Sequence, residues 1–292
     1  MVGAAVRAQA KVNLCLRVLA REASGYHGLE TLFARLDLAD DVTIRVDGRA
    51  RILECRGADN GPATENLAYR AASAYVDATG WPTGFAISID KRIPVGGGLG
   101  GGSADAGAVL RSLNALSPAP LDPGALLDLA AMLGADVPFL TLSSPYALAW
   151  GRGDRTLALP PLPSRELWLV TFPFGIRTAE AFGWIAESRR QSAQTVSASS
   201  IEAGALRSWE GVAALAGNDF EEEVAGRYPP IAEVLRVARA LDPLFSGLTG
   251  SGATVFIVPK ETADPGRLTL PPGARLLRTR TAGSVEDIRL TG

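Results

Sequence analysis

The chain has 292 residues, a formal net charge of −2, and 47% hydrophobic and 21% charged residues, ordinary values for a globular protein long enough for two domains or one large one. Near-neutral charge without a dense Lys/Arg cluster argues against a nucleic-acid-binding domain, whose affinity rests on phosphate neutralisation. No stretch approaches the ~20 apolar residues of a membrane span, and Arg7, Lys11 and Arg17 interrupt any leader-like apolar core, so a soluble, cytoplasmic protein is expected.

Residues 6–20 read as strand material that carries Lys11 and Asn13. Ser24-Gly25-Tyr26-His27-Gly28 reads as a turn, and residues 29–38 and 41–46 as two further strands. Asn66 heads a predicted helix over residues 66–79, with Leu67, Ala71, Ala74 and Tyr75 at helical spacing and Gly80 as its stop. Residues 85–89 alternate as a strand. A glycine run follows, and then a helix whose apolar face is Ala106, Val109, Leu110, Leu113 and Leu116, with Ser103 at the expected N-cap. Asp122-Pro123 predicts an N-cap and N1 proline for a helix through Met132, with Gly134 as its cap and Pro138 resisting further helix. Residues 137–151 suit a buried strand and turn.

Residues 151–164, rich in Gly and Pro, mark a boundary, which divides the chain into domains 1–155 and 156–292. Beyond it, strands are predicted over 167–172, 253–258 and 274–281, a helix over 231–241, and an exposed loop over 191–200. Strands and helices mixed without strict β-α alternation indicate an α+β fold. Cys15 and Cys55 have neither metal-ligand nor redox spacing, and reduced thiols are expected.

The segment Pro94-Val95-Gly96-Gly97-Gly98-Leu99-Gly100-Gly101-Gly102-Ser103-Ala104 carries the chemistry. Six glycines in seven positions allow close backbone approach, so that N–H groups converge on an anion. The N-terminus of the following helix adds unpaired donors and a partial positive charge. A flexible surface loop is the bland alternative. No Gly-Lys-Ser/Thr follows, which removes a P-loop. Gly96, Gly98 and Gly101 satisfy G-x-G-x-x-G, but residues 91–95 separate strand from loop and no β-α-β unit surrounds it, which weakens a dinucleotide-dependent oxidoreductase.

Pro94 to Ala104 followed by Asp105-Ala106 resembles the ATP loop of the GHMP kinases, and GGGLGGGSADA is similar to the branch acting on a cytidine-diphosphate-linked methylerythritol in non-mevalonate isoprenoid synthesis. Ala10-Lys11-Val12-Asn13-Leu14, Gly25-Tyr26-His27, Leu133-Gly134-Ala135-Asp136-Val137-Pro138-Phe139, Asn218-Asp219-Phe220 and Gly250-Ser251-Gly252-Ala253-Thr254-Val255-Phe256 match its further motifs in order. The resemblance implies a two-domain fold with the N-terminal domain binding ATP and the active site in the cleft between the domains. It implies Asp136 as general base, assisted by Lys11, in transfer of the γ-phosphoryl of ATP to the substrate's 2-hydroxyl, with Mg²⁺ carried by ATP and no dedicated protein metal site. Asp136 would otherwise be a turn or cap residue, and Lys11 a lysine packing its stem while its ammonium reaches water.

The same resemblance puts Tyr26 and Phe182 on the two faces of a cytosine ring and His27 on its edge, although core packing explains Phe182 equally well. Asn13 would bond substrate or orient Asp136, Thr178 belongs to the short segment that ends in Phe182, and Asn66 would lie near adenine. Ser103 could cap its helix, ligate Mg²⁺ or touch a phosphate. The chain departs from the pattern at Ala104, where many relatives have a second serine; residues 61–65 match loosely and 191–217 not at all. A monomer or weak homodimer is expected. Another GHMP kinase, of the homoserine or mevalonate type, and a non-catalytic nucleotide-binding protein of the same fold are the alternatives.

Overall fold

The computed structural model describes residues 2–21, 27–46, 48–57, 61–192, 201–261 and 263–292. Two long strands open the chain, β1 (Gly3–Arg21) and β2 (His27–Arg45), followed by β3 (Arg51–Arg56), α1 (Leu67–Thr79) and β4 (Phe85–Asp90). Next come α2 (Gly101–Leu116), α3 (Pro123–Leu133), α4 (Val137–Thr141), β5 (Tyr146–Gly151) and β6 (Arg155–Ala158). The remainder contains β7 (Glu166–Thr171), α5 (Thr178–Ser192), α6 (Trp209–Leu215), β8 (Gly217–Asn218), α7 (Glu221–Arg227) and α8 (Pro229–Ala240). It ends with β9 (Phe245–Leu248), β10 (Val255–Val258), β11 (Arg275–Arg280) and β12 (Arg289–Thr291).

The larger sheet runs β12-β1-β2-β4-β3, with β5 and β6 extending from β2 and β8 beside β1. Helix α2 lies on β1 and β2, with α1, α3 and α4 grouped round it. The smaller sheet, β11-β7-β10-β9, is antiparallel throughout. Its period-2 alternation feeds two cores. Leu167, Leu169, Phe256 and Val258 join the core of the larger sheet, while Trp168, Val170, Val255 and Ile257 join a second core with α5, α7 and α8. The bridge Leu36–Thr281 links the two sheets, and β12 returns the end of the chain to β1.

Strand β1 belongs to both cores. Its even positions through Leu14 pack into the first core, and Leu16 and Val18 pack into the second. Lys11 and Asn13 therefore sit near the seam. Register shifts against β2 occur between Gln9 and Lys11 and between Asn13 and Cys15, and such bulges bend a strand and re-aim its side chains.

Several expectations are corrected. Residues 29–38 and 41–46 are joined in one strand, β2, within which Asp40 is buried and paired with Lys91. Pro138 does not end helical structure: it occupies the first turn of α4, where its missing N–H costs nothing. Residues 137–151 accordingly form a short helix and then β5. Gly134 caps α3 in extended rather than left-handed conformation. Gln191 and Ser192 close α5, and residues 193–200 of the expected loop lie outside the described residues. Asp122 caps α3 as expected, accepting from Gly124 N and Ala125 N.

Candidate functional site

Helix α2 starts earlier than the sequence indicates. Gly101 is its first residue and Gly100, at φ +72°, its cap, so Ser103 lies inside the first turn instead of capping it. The glycines cause this: Gly100 reaches the left-handed region without a Cβ penalty, and a Cβ there would stand 2.9 Å from Lys11 Cγ. Carbonyls of the loop are engaged with protein. Gly97 O accepts from Thr254 N, Leu99 O from Lys11 N and Gly100 O from Ala104 N, and Gly98 O accepts from Thr249 Oγ1. The N–H groups at the start of α2 have no intrahelical acceptor and meet the cleft, which Gly100, Gly101, Gly102 and Ser103 line. Engaged carbonyls and a helix start that opens on the cleft are the features that an anion cradle requires.

The cleft has a volume of about 1150 Å³. Lys11, Asn13, His27, Asp136, Thr178 and Phe182 line it together with Gly96 and Gly98. Pro94, Val95, Gly97, Leu99 and Asn66 instead line a smaller adjoining cavity of about 180 Å³. Leu99 and Ala104 turn their side chains into the core, so they can serve the loop only through backbone. Asn66 caps α1 by accepting from Ala68 N at 2.9 Å.

Lys11 Nζ stands 3.1 Å from Asp136 Oδ2 and 2.7 Å from Asn13 Oδ1. Lys11 is 2% exposed, a burial tolerable for a charge only when it is paired. Asn13 Nδ2 donates to Thr31 Oγ1, and Asn13 thereby orients Lys11 rather than Asp136 directly. Asp136 occupies the N-cap position of α4 yet makes no cap bond; its carboxylate faces Lys11. The far end of α4 is held by Arg35, which donates to Phe139 O and Leu142 O. Burial pushes the Arg35 pKa down to about 9. Arg35 lies over Phe139, Phe139 stacks on Phe33, and Lys11 lies over Phe33, one continuous stack behind the ion pair.

Away from the ion pair, the rings of His27 and Phe182 stack with centroids 5.3 Å apart. Phe182 also meets Phe220 edge-on. Tyr26 lies outside the described residues. Thr178 Oγ1 is 3.1 Å from Ser251 Oγ, which draws the start of α5 to the C-terminal glycine segment. Asn218 holds that segment by donating to Leu248 O and Gly250 O. Among the described residues, no group of three or more His, Cys, Asp and Glu side chains is placed to hold a metal, and no helix is long and apolar enough to cross a membrane.

One cluster escapes sequence reading. Lys91, just before the loop, pairs with Asp40 and Asp105, both buried. Asp40 Oδ1 also accepts from Ile93 N, which fixes the entry to the loop. Burial, with Asp40 adding to it and Lys91 opposing, pushes the Asp105 pKa up to about 7. The available signals were Asp40 inside an apolar strand and Asp105 on the buried face of α2. Arg152, Asp154 and Arg190 also line the cleft; nothing in their spacing marks them.

Two family models match, GHMP kinases N terminal domain over residues 66–144 and GHMP kinases C terminal over residues 198–269. A 4-diphosphocytidyl-2-C-methyl-D-erythritol kinase of Geobacter sp. (strain M21) is 40% identical over 252 residues, 85% of this chain and 87% of that protein. A crystal structure of 4-(cytidine 5'-diphospho)-2C-methyl-D-erythritol kinase superposes with a TM-score of 0.75 at 34% identity, covering 96% of this chain and all of that one. A homoserine kinase from Cytophaga hutchinsonii, 15% identical with a TM-score of 0.67 over 99% of this chain and 97% of that one, shares the fold.

Proposed function

The chain belongs to the GHMP kinases, among the 4-diphosphocytidyl-2-C-methyl-D-erythritol kinases, and we propose that it transfers the γ-phosphoryl of ATP to the 2-hydroxyl of 4-diphosphocytidyl-2-C-methyl-D-erythritol. The observation that carries this reading is the Lys11–Asp136 pair, 3.1 Å apart, in one cleft with the glycine cradle and the His27–Phe182 stack.

In this reading ATP lays its phosphates on the N–H groups at the start of α2. Phosphoryl transfer asks the protein for alignment and charge stabilisation more than for covalent chemistry. Asp136 accepts the hydroxyl proton as the oxygen attacks the γ-phosphorus, and ADP leaves with the β–γ bridging oxygen. Lys11, 3.1 Å from Asp136 Oδ2, adds positive charge beside the transferring group. Mg²⁺ needs few protein ligands when phosphates supply oxygens. Ser103, in the first turn of α2 and lining the cleft, is the hydroxyl that would hold it, and the ion would neutralise phosphate charge.

At the other end, His27 and Phe182 recognise cytosine, Phe182 by stacking, worth ~1–3 kcal/mol for a base on an aromatic ring. Homoserine and mevalonate carry no base for that stack, which favours the cytidyl substrate. An ADP-release assay over the cytidyl compound, homoserine and mevalonate tests the reading. Stimulation by the cytidyl compound alone is expected; stimulation by another member of the panel instead would overturn the substrate.

A further inference from the structure

We propose that Lys91, Asp40 and Asp105 are positioning residues for the glycine loop: the Lys91 ammonium ties both ends of the loop to β2 and so orders it before ATP arrives. The inference rests on the reading above that ATP lays its phosphates on this loop. Asp40 is the fixed point. It lies within β2 opposite Ala8 of β1, and its neighbour Asp41 pairs with Asp90 of β4, so a strand flanks it on either side. Its carboxylate holds the entry to the loop, where Oδ1 accepts from Arg92 N and Ile93 N. Oδ2 accepts from Lys91 Nζ. The same ammonium donates to Asp105 Oδ2 at 2.7 Å, and Asp105 stands one turn into α2 from Gly101. Entry and exit of the loop are thereby joined through one nitrogen. The fit at the helix start is close: a Cβ on Gly101 would stand 3.2 Å from Lys91 Nζ and 3.1 Å from Ile93 Cγ2.

A loop with six glycines in seven positions has unusual conformational freedom to lose. Ordering that the anchors supply in the free protein is ordering that ATP binding need not supply. Stability alone is a poor account of the cluster. Its three side chains are 5% exposed or less, two carboxylates share one ammonium, and Asp105 Oδ1 has no hydrogen-bond partner among the described residues. Buried ion pairs of this kind add little stability over well-packed apolar residues, and their best-attested use is to fix one arrangement against others. Lys11 is held separately, by Asp136 and Asn13, so the chemical step is expected to survive loosening of the loop.

Asp105→Ala cuts the tie to α2 and leaves the balanced Lys91–Asp40 pair in place. It is expected to raise KM for ATP about tenfold, the loss of one charged hydrogen bond, while kcat at saturating ATP and KM for the cytidyl substrate stay near wild type. Asp105→Asn keeps an acceptor for Lys91 and is expected to recover most of the loss. In ATP-free protein, the amides of residues 94–103 are expected to exchange hydrogen faster in Asp105→Ala than in wild type. Wild-type ATP affinity in Asp105→Ala would overturn the proposal, as would equal rises in both KM values, which mark a general loss of structure. So would weakened ATP binding with unchanged exchange, which assigns Asp105 to direct contact with the nucleotide. If Asp105→Ala does not fold, Asp105→Ser, whose hydroxyl is too short to reach Lys91 Nζ, takes its place with the same outcomes. A wild type that does not bind ATP with Mg²⁺ by calorimetry would sink the ATP reading itself, before any variant is compared.

Discussion

Asp136 and Asp105 are two carboxylates in opposite circumstances. Asp136 is partly open to the cleft and sits beside one lysine. On the proposed mechanism, Asp136→Asn keeps the shape and removes the base, so kcat is expected to fall by about 10²–10⁴-fold while ATP affinity, read by calorimetry, changes little. Wild-type turnover in that variant would remove Asp136 from the chemistry. Asp105 is buried, and its pKa is raised from 3.8 to about 7. Between those values the folded protein keeps a proton that the unfolded chain has released, so this group's contribution to stability declines as pH rises through that window. Asp105→Asn cannot titrate. The stability advantage of wild type over Asp105→Asn, from urea unfolding, is therefore expected to be larger at pH 5 than at pH 8; an advantage that grows with pH would contradict the protonated state.

At the scale of elements, the glycine loop is held from behind by the C-terminal segment. Gly98 has φ +78°, and a Cβ on it would stand 2.3 Å from Thr249 O. Both the backbone angle and the contact oppose any side chain. Gly98→Ala is expected to raise KM for ATP at least tenfold and to cost about 1–3 kcal/mol of stability, measured by steady-state kinetics and thermal unfolding. Helix α4 shows the same economy of support. Five residues make a marginal helix alone. Arg35 at its C-terminal end and the Phe33–Phe139 stack beneath it hold it in place, and so hold Asp136.

For the molecule as a whole, the cleft depends on two cores being kept in register. Strand β1 enters both, and Asn218, beside Cys15 and Leu16 of β1 through β8, reaches across to Leu248 O and Gly250 O. Asn218→Ala removes both donors and leaves the carbonyls in search of water, at a cost of about 2 kcal/mol. Weakened ATP binding is expected to accompany the lower melting temperature, because Gly250 backs the loop on which the proposed function places the phosphates of ATP. Unchanged ATP affinity in a destabilised Asn218→Ala would separate the clamp from the cradle.

The sequence by itself determined the glycine loop ahead of its helix, the helices that carry their own caps, and the family. Each is written in consecutive residues: glycines before an amphipathic helix, Asn66 ahead of α1, Asp122-Pro123 ahead of α3. It divided β2 into two strands and took Pro138 as a helix stop, because neither the buried partner of Asp40 nor the start of α4 is visible in consecutive residues. Only the tertiary structure decided how closely Lys11 stands to Asp136, that Asn13 serves the lysine, and that Lys91 joins two aspartates. Lys11 and Asp136, and Lys91 and Asp40, lie far apart in the chain. Local propensity specifies where a helix starts, whereas the distance between two charges is specified by the packing of everything between them.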